Sequence, residues 1–209
     1  MQTIVGPSVS EYLYQLLPER DPVLAKMEEV ATTRNIPIVG PLVGRLFYQL
    51  AVLHKPKRIY EMGSAIGYST LWWAKALSKG DEVHYTDGSK ENANEAEGYL
   101  RQGEVLDRVR MHVGNALHVI DSLSGEFDII FCDIDKGDYP MAFKKALPRL
   151  RRGGLLIADN VLWSGRVAEP SPDAWTAAIK EFNQLLYSTP GLFTTIVPLR
   201  DGVSISLKL

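Results

Sequence analysis

The sequence predicts an α/β fold: an open, mostly parallel sheet that ends in an antiparallel hairpin and carries a helical cover at its N-terminus. Three observations predict it. From Lys57 onward short apolar runs alternate with longer amphipathic ones, the rhythm of βαβ units. The first of those runs leads into a glycine-containing turn, "MGSAIGYST". The chain closes with two β-rich runs joined by a short connection, which reads as a hairpin.

The elements follow in order. Residues 1–55 read as helices, "SVSEYLYQLL", "PVLAKMEEVATTR" and "VGRLFYQLAVLH", with Pro22 where a first helical turn tolerates proline. They form a cover on a core spanning residues 56–209, and the whole chain reads as one domain. The core strands are "RIYEM", "EVHYT", "VRMHV", "FDIIFC" and "GLLIA". Between them lie the helices "YSTLWWAKAL", "KENANEAEGYLRQG", "NALHVIDSL" and "YPMAFKKALPRLRR", the last stopped by Gly153-Gly154. One more helix, "AWTAAIKEFNQLL", precedes the hairpin "LFTTIVPL", "RDG", "GVSISLKL". No internal repeat or low-complexity tract interrupts this plan.

Composition narrows the function classes. A net charge of −2 supplies no global attraction to nucleic acid or to an anionic membrane. A single cysteine, Cys132, excludes an intrachain disulfide framework and a cysteine zinc site, and inside an apolar run it reads as a small hydrophobe. No run of about 18 apolar residues exists to span a bilayer, and "MQTIVGPSVSEYL" lacks the layout of a signal peptide. The expectation is a cytoplasmic, soluble protein with no membrane partner.

Ligands of open α/β sheets bind beyond the carboxyl ends of the strands, so the polar residues there carry the chemistry. The first strand ends in Glu61 and turns through Gly63, Ser64 and Gly67, with Ser69 and Thr70 placed to cap the next helix. Ala65 stands where a dinucleotide fingerprint places its second glycine, which disfavours NAD. Asp87 follows the second strand at the spacing where an acid meets ribose hydroxyls. An adenosine ligand without a pyrophosphate fits, and S-adenosylmethionine is such a ligand. "FDIIFCDID" then delivers Asp133 and Asp135, and "GLLIADN" delivers Asp159 and Asn160, to neighbouring strand ends. Oxygen ligands without sulfur or imidazole suit a hard cation, Mg²⁺, Ca²⁺ or Mn²⁺. The four histidines show no metal-ligand spacing, and "KPKR" and "RLRR" read as solvated faces.

"YEMGSAIGYS", "FCDIDKGDY", "IADNVLWSGRV" and "VPLRDGVSISL" together resemble the cation-dependent, catechol and caffeoyl-CoA type O-methyltransferases in their short bacterial form. The resemblance implies a Rossmann-like class I methyltransferase fold with a seven-stranded sheet, and a homodimer. It implies metal ligation by Asp133, Asp159 and Asn160 and a general base at Lys136, with Asp135 outside the ligand set. It implies S-adenosylmethionine contacts from Glu61, Gly63, Ser64, Gly67, Ser69, Asp87, Asn115, Ala116 and Asp133. The implied acceptor is a small phenolic or catechol-like molecule with a hydroxyl beside a second oxygen. "RVAEPSPDAWTAA" is shorter than the segment of plant members that take coenzyme A thioesters, so that acceptor is not implied.

Two other readings stand beside this one. "RNIPIVGPLVG" is similar to bacterial relatives that methylate 5-hydroxyuridine in tRNA, a reading that requires the basic clusters to form one face beside the crevice. A binding module that keeps the cofactor pocket without turnover is the second, and the presence of Lys136 beside the acids argues against it.

Overall fold

The structure is a computed structural model that describes residues 4–170 and 173–209. Its sheet has seven strands in the order β3-β2-β1-β4-β5-β7-β6. Strands β1 (Arg58–Met62), β2 (Glu82–Asp87), β3 (Val109–Val113), β4 (Phe127–Cys132) and β5 (Leu150–Ala158) run parallel, and β7 (Val203–Lys208) is antiparallel to both β5 and β6 (Leu192–Val197). Chain order reverses between β1 and β4, which opens a crevice at their carboxyl ends.

Both faces of the sheet are covered, which is why the central strands read as continuous apolar runs rather than alternating ones. On one face Ile59, Val83, Tyr85, Ile129 and Phe131 pack with helices α3 (Gly40–His54), α4 (Tyr68–Ala76) and α5 (Lys90–Gln102). Phe47 of α3 stacks on Trp73 of α4 at 4.3 Å and meets Phe131 edge-on at 4.6 Å. On the other face Tyr60, Met62, Ile130, Cys132 and Leu156 pack with α6 (Ala116–Ser122), α7 (Tyr139–Ala146) and α8 (Ala174–Ser188). Of the N-terminal helices, α2 (Pro22–Arg34) buries Leu24, Met27 and Ala31, whereas α1 (Pro7–Gln15) buries none of its side chains. No helix among the described residues is long and apolar enough to cross a membrane.

Three expectations need correction. Gly153 and Gly154 do not end a helix: α7 stops at Ala146, ahead of Pro148, and both glycines lie inside β5. A Cβ on Gly154 would come within 3.0 Å of the Asp128 carbonyl oxygen, where the β4–β5 register shifts, so the close approach of the two strands explains that glycine. Ser69 and Thr70 do not cap α4; Gly67 holds the cap position at φ +84°, and both hydroxyl residues are inside the first turn. The hairpin connection spans residues 198–202 rather than the three of "RDG". Two of the histidines, which show no pairing in the sequence, come together in the fold: the rings of His84 and His112 stack in parallel, a nitrogen of one lies 3.0 Å from a nitrogen of the other, and Glu82 lies 2.9 Å from His84.

Candidate functional site

A cavity of about 540 Å3 opens at the carboxyl ends of β1, β2, β4 and β5. Gly63, Ser64 and Ser69 border it from the first turn, Asp87 from β2, and Asn115 and Ala116 from the start of α6. Asp133, Asp135 and Lys136 border it after β4, and Asp159 and Asn160 after β5. Two residues expected to face a ligand do not line it. Gly67 packs on α5, where an added Cβ would sit 2.9 Å from the Ala96 Cβ, and Glu61 lies fully buried.

The floor is set by a backbone crossing. Gly63 adopts φ +82°, and a Cβ there would fall 2.2 Å from the carbonyl oxygen of Asp133. Only glycine allows the β1 turn to pass that close to the end of β4. Glu61 is held by the Ser64 hydroxyl, which donates to its Oε2 at 2.7 Å, and by the Thr70 hydroxyl. Its Oε1 has no hydrogen-bond partner, and burial pushes this carboxyl up to about 7. Asp87 accepts from the Ala65 amide at 3.0 Å and from the Ser89 amide at 2.8 Å, so it ties the first turn to the end of β2. Asn115 accepts from the Leu117 amide at 2.8 Å and thereby caps α6.

At the other end of the cavity Lys136 Nζ donates to Asp133 Oδ1 at 2.7 Å and to the Tyr139 hydroxyl at 2.8 Å. That hydroxyl in turn donates to the Asp159 carbonyl at 2.8 Å, and the amine lies 4.8 Å from the Tyr139 ring centroid. Tyr139 was missed by sequence reasoning, although its position three residues after Lys136 on a helical turn could have found it. Asp159 is buried, and its Oδ1 has no hydrogen-bond partner. Burial, with the Asp133 carboxylate nearby, holds its carboxyl well above the usual range. A divalent cation would relieve both conditions, and the side-chain oxygens of Asp133, Asp159 and Asn160 are of the kind such an ion prefers. Two carboxylates and one amide make up this set; no group of three or more His, Cys, Asp or Glu side chains able to hold a metal occurs among the described residues.

Trp163 and Trp175 wall the cavity beside Lys136, with ring centroids 6.3 Å apart in an edge-to-face pair. Asp201, read in the sequence only as part of a turn, is buried and accepts from the Ser164 amide and the Asn160 side chain. Burial pushes the Cys132 thiol up to about 12, which removes it as a nucleophile at neutral pH.

The basic clusters do not border this cavity. "KPKR" leads into β1 and "RLRR" enters β5, so both lie at the amino ends of the strands, the opposite edge of the sheet. Several of their charges are engaged there: Lys57 with Asp81, Arg58 with Glu82 and Arg151 with Asp128, while Arg149 donates to the carbonyls of Ile120 and Leu123.

Comparison with known proteins agrees with this architecture. A profile of the O-methyltransferase family matches residues 18–209. The chain is 29% identical to a catechol O-methyltransferase of Niastella koreensis over 99% of each chain. An O-methyltransferase of Bacillus cereus, solved in complex with S-adenosylhomocysteine, superposes with a TM-score of 0.87 at 29% identity over 97% of each chain. TomG of Streptomyces achromogenes, solved with S-adenosylmethionine, gives 0.87 at 30% identity over 96% of each. The family profile, the near full-length relative and the shared fold lead to one conclusion: the chain belongs to the O-methyltransferase family.

Proposed function

We propose that this protein transfers the methyl group of S-adenosylmethionine to a small, catechol-like acceptor, a hydroxyl with a second oxygen beside it, with the help of a divalent cation. The observation that carries the reading is the pairing, in one cavity, of an amine at Lys136 with a buried carboxylate oxygen of Asp159 that no protein donor satisfies. A protein that only bound the donor would gain nothing from that pair.

The donor end is formed by the first turn, by Asp87 for the ribose hydroxyls and by Asn115 and Ala116 beside the adenine. When bound, S-adenosylmethionine supplies an electrophilic methyl group on a positively charged sulfur. Asp133, Asp159 and Asn160 would hold the cation, which would supply Lewis acidity to the acceptor hydroxyl. Lys136 Nζ, entering the step as the neutral amine with two N–H groups on Asp133 and Tyr139, receives the proton of the acceptor hydroxyl on its lone pair and leaves as the ammonium ion. As the oxygen–carbon bond forms, the carbon–sulfur bond breaks and sulfur keeps its electron pair. Asp133 and Tyr139 orient the amine from two sides, and Trp163 and Trp175 supply an apolar wall for a flat ring. Holding the reacting atoms at near-attack distance accounts for a large share of the acceleration.

A cytoplasmic homodimer belongs to the same reading, and the exposed apolar side chains Val9 and Tyr12 of α1 offer a surface for it. The tRNA reading required the basic clusters to form one face beside the crevice, and they lie at the far edge of the sheet. The test is transfer of labelled methyl to catechol and, separately, to tRNA carrying hydroxyuridine, with Mg²⁺ and with excess chelator, for the wild type and Asp159→Ala. Label on catechol that chelator and Asp159→Ala both abolish is the expected result. Full activity of Asp159→Ala, or of the chelated enzyme, overturns the cation's role, and label on the RNA alone overturns the small acceptor.

A further inference from the structure

Arg200 sits in the β6–β7 connection at φ +51°, a conformation that favours glycine. Its side chain reaches away from its own hairpin. Nη1 donates to the Ile38 carbonyl at 2.9 Å and to the Val39 carbonyl, the two residues that lead into α3. Pro37, Ile38 and Val39 line the cavity. Val39 caps the start of α3 and is buried in the core, while Pro37 and Ile38 ahead of it belong to neither the sheet nor a helix. Gly40 follows at φ +71°, and a Cβ there would stand 3.3 Å from Arg200 Nη1, so the guanidinium occupies the space a side chain would take. The turn is itself anchored: the Arg200 carbonyl accepts from the Ile4 amide at 2.8 Å, and the Asp201 carbonyl accepts from the Leu162 amide at 3.0 Å.

We propose that Arg200 is a positioning residue for the cavity: from the β6–β7 turn its guanidinium pins the Ile38 and Val39 carbonyls and so holds residues 37–39 as one wall of the pocket. The inference rests on the reading that this cavity takes S-adenosylmethionine. Arg200 does not line the cavity, and its hydrogen bonds reach the cavity wall through the carbonyls of Ile38 and Val39. A ligand that needs the wall in place must then order residues 37–39 itself whenever the pin is missing, and affinity falls by that ordering cost.

Arg200→Gly separates this role from simple support of the turn, because glycine suits the left-handed conformation while removing the guanidinium. Three quantities are measured on wild type and variant: the melting temperature of the ligand-free protein, the Kd for S-adenosylhomocysteine by calorimetry, and amide hydrogen exchange over residues 36–44. The expected result is a melting temperature within a few degrees of wild type, a Kd raised about tenfold, as for loss of charge-assisted hydrogen bonds, and faster exchange confined to residues 36–44. Arg200→Lys, with a shorter stem and no planar fork, should recover part of the affinity. An unchanged Kd in Arg200→Gly, or unchanged exchange in the 36–44 segment, overturns the proposal. Failure of the wild type itself to bind S-adenosylhomocysteine would instead overturn the donor assignment, so the two failures are told apart.

Discussion

Replacing Glu61 with Gln tests whether a fully buried carboxylate under the first turn costs this fold stability. Glu61 is 0% exposed, receives hydrogen bonds from Ser64 and Thr70 on one oxygen and has none on the other. Burial raises its carboxyl from an ordinary 4.5 to about 7. Below pH 4.5 both the folded and the unfolded chain carry the proton, and the residue is neutral in the balance. Between 4.5 and 7 the unfolded chain releases the proton while the folded one keeps it, so stability falls as pH rises. Above 7 the loss is complete. At about 1.4 kcal/mol per pH unit it amounts to roughly 3 kcal/mol. Glutamine keeps an oxygen for the two hydroxyl donors and has no charge to bury. Relative to wild type, ligand-free Glu61→Gln should gain several degrees in melting temperature at pH 8 and lose that advantage progressively down to pH 4.5. Thermal denaturation of both proteins at half-unit steps across that range reads the difference directly. A difference that stays flat from pH 4.5 to 8 refutes the reasoning, since any effect of shape alone is independent of pH.

Two further outcomes follow from the same geometry. Lys136→Ala should lower turnover at least a hundredfold while leaving the Kd for S-adenosylhomocysteine within a few-fold of wild type, because the amine touches Asp133 and Tyr139 rather than the first turn; steady-state kinetics beside calorimetry checks it. Gly63→Ala places a methyl group 2.2 Å from the Asp133 carbonyl at a left-handed backbone position, so it should destabilise the protein by about 2 kcal/mol or more and separate β1 from the end of β4; a melting temperature equal to wild type would contradict the crossing.

Much of this molecule was legible in its sequence because the relevant signals are local. "FDIIFC" and "RIYEM" are mostly apolar and almost wholly buried since both faces of their strands are covered, and an acid at or just after the end of such a run marks a strand terminus. That logic places Asp133, Asp159, Asn160, Glu61 and Asp87 at strand ends from the sequence alone. It failed where local pattern is ambiguous. Gly153-Gly154 has the same composition at a helix end and in a strand bulge, and only the approach of Asp128 distinguishes them.

Tertiary structure decided which strand ends meet. The alternation of strands and helices is compatible with several sheet orders; placing β4 beside β1 depends on pairing across about 70 residues, with Ile59 opposite Ile129 and Met62 opposite Cys132. From that pairing come the passage of Gly63 under Asp133, the orphaned oxygen of Asp159 in the cavity beside Lys136, and the removal of both basic clusters to the opposite edge. Arg200 shows the same division most sharply. Its letter in "RDG" is a turn residue, and its guanidinium reaches Ile38 and Val39, 162 and 161 positions earlier in the chain. Local periodicity carries information about neighbours within a few residues, whereas contacts of this separation exist only after the sheet has chosen its order and brought its turns together.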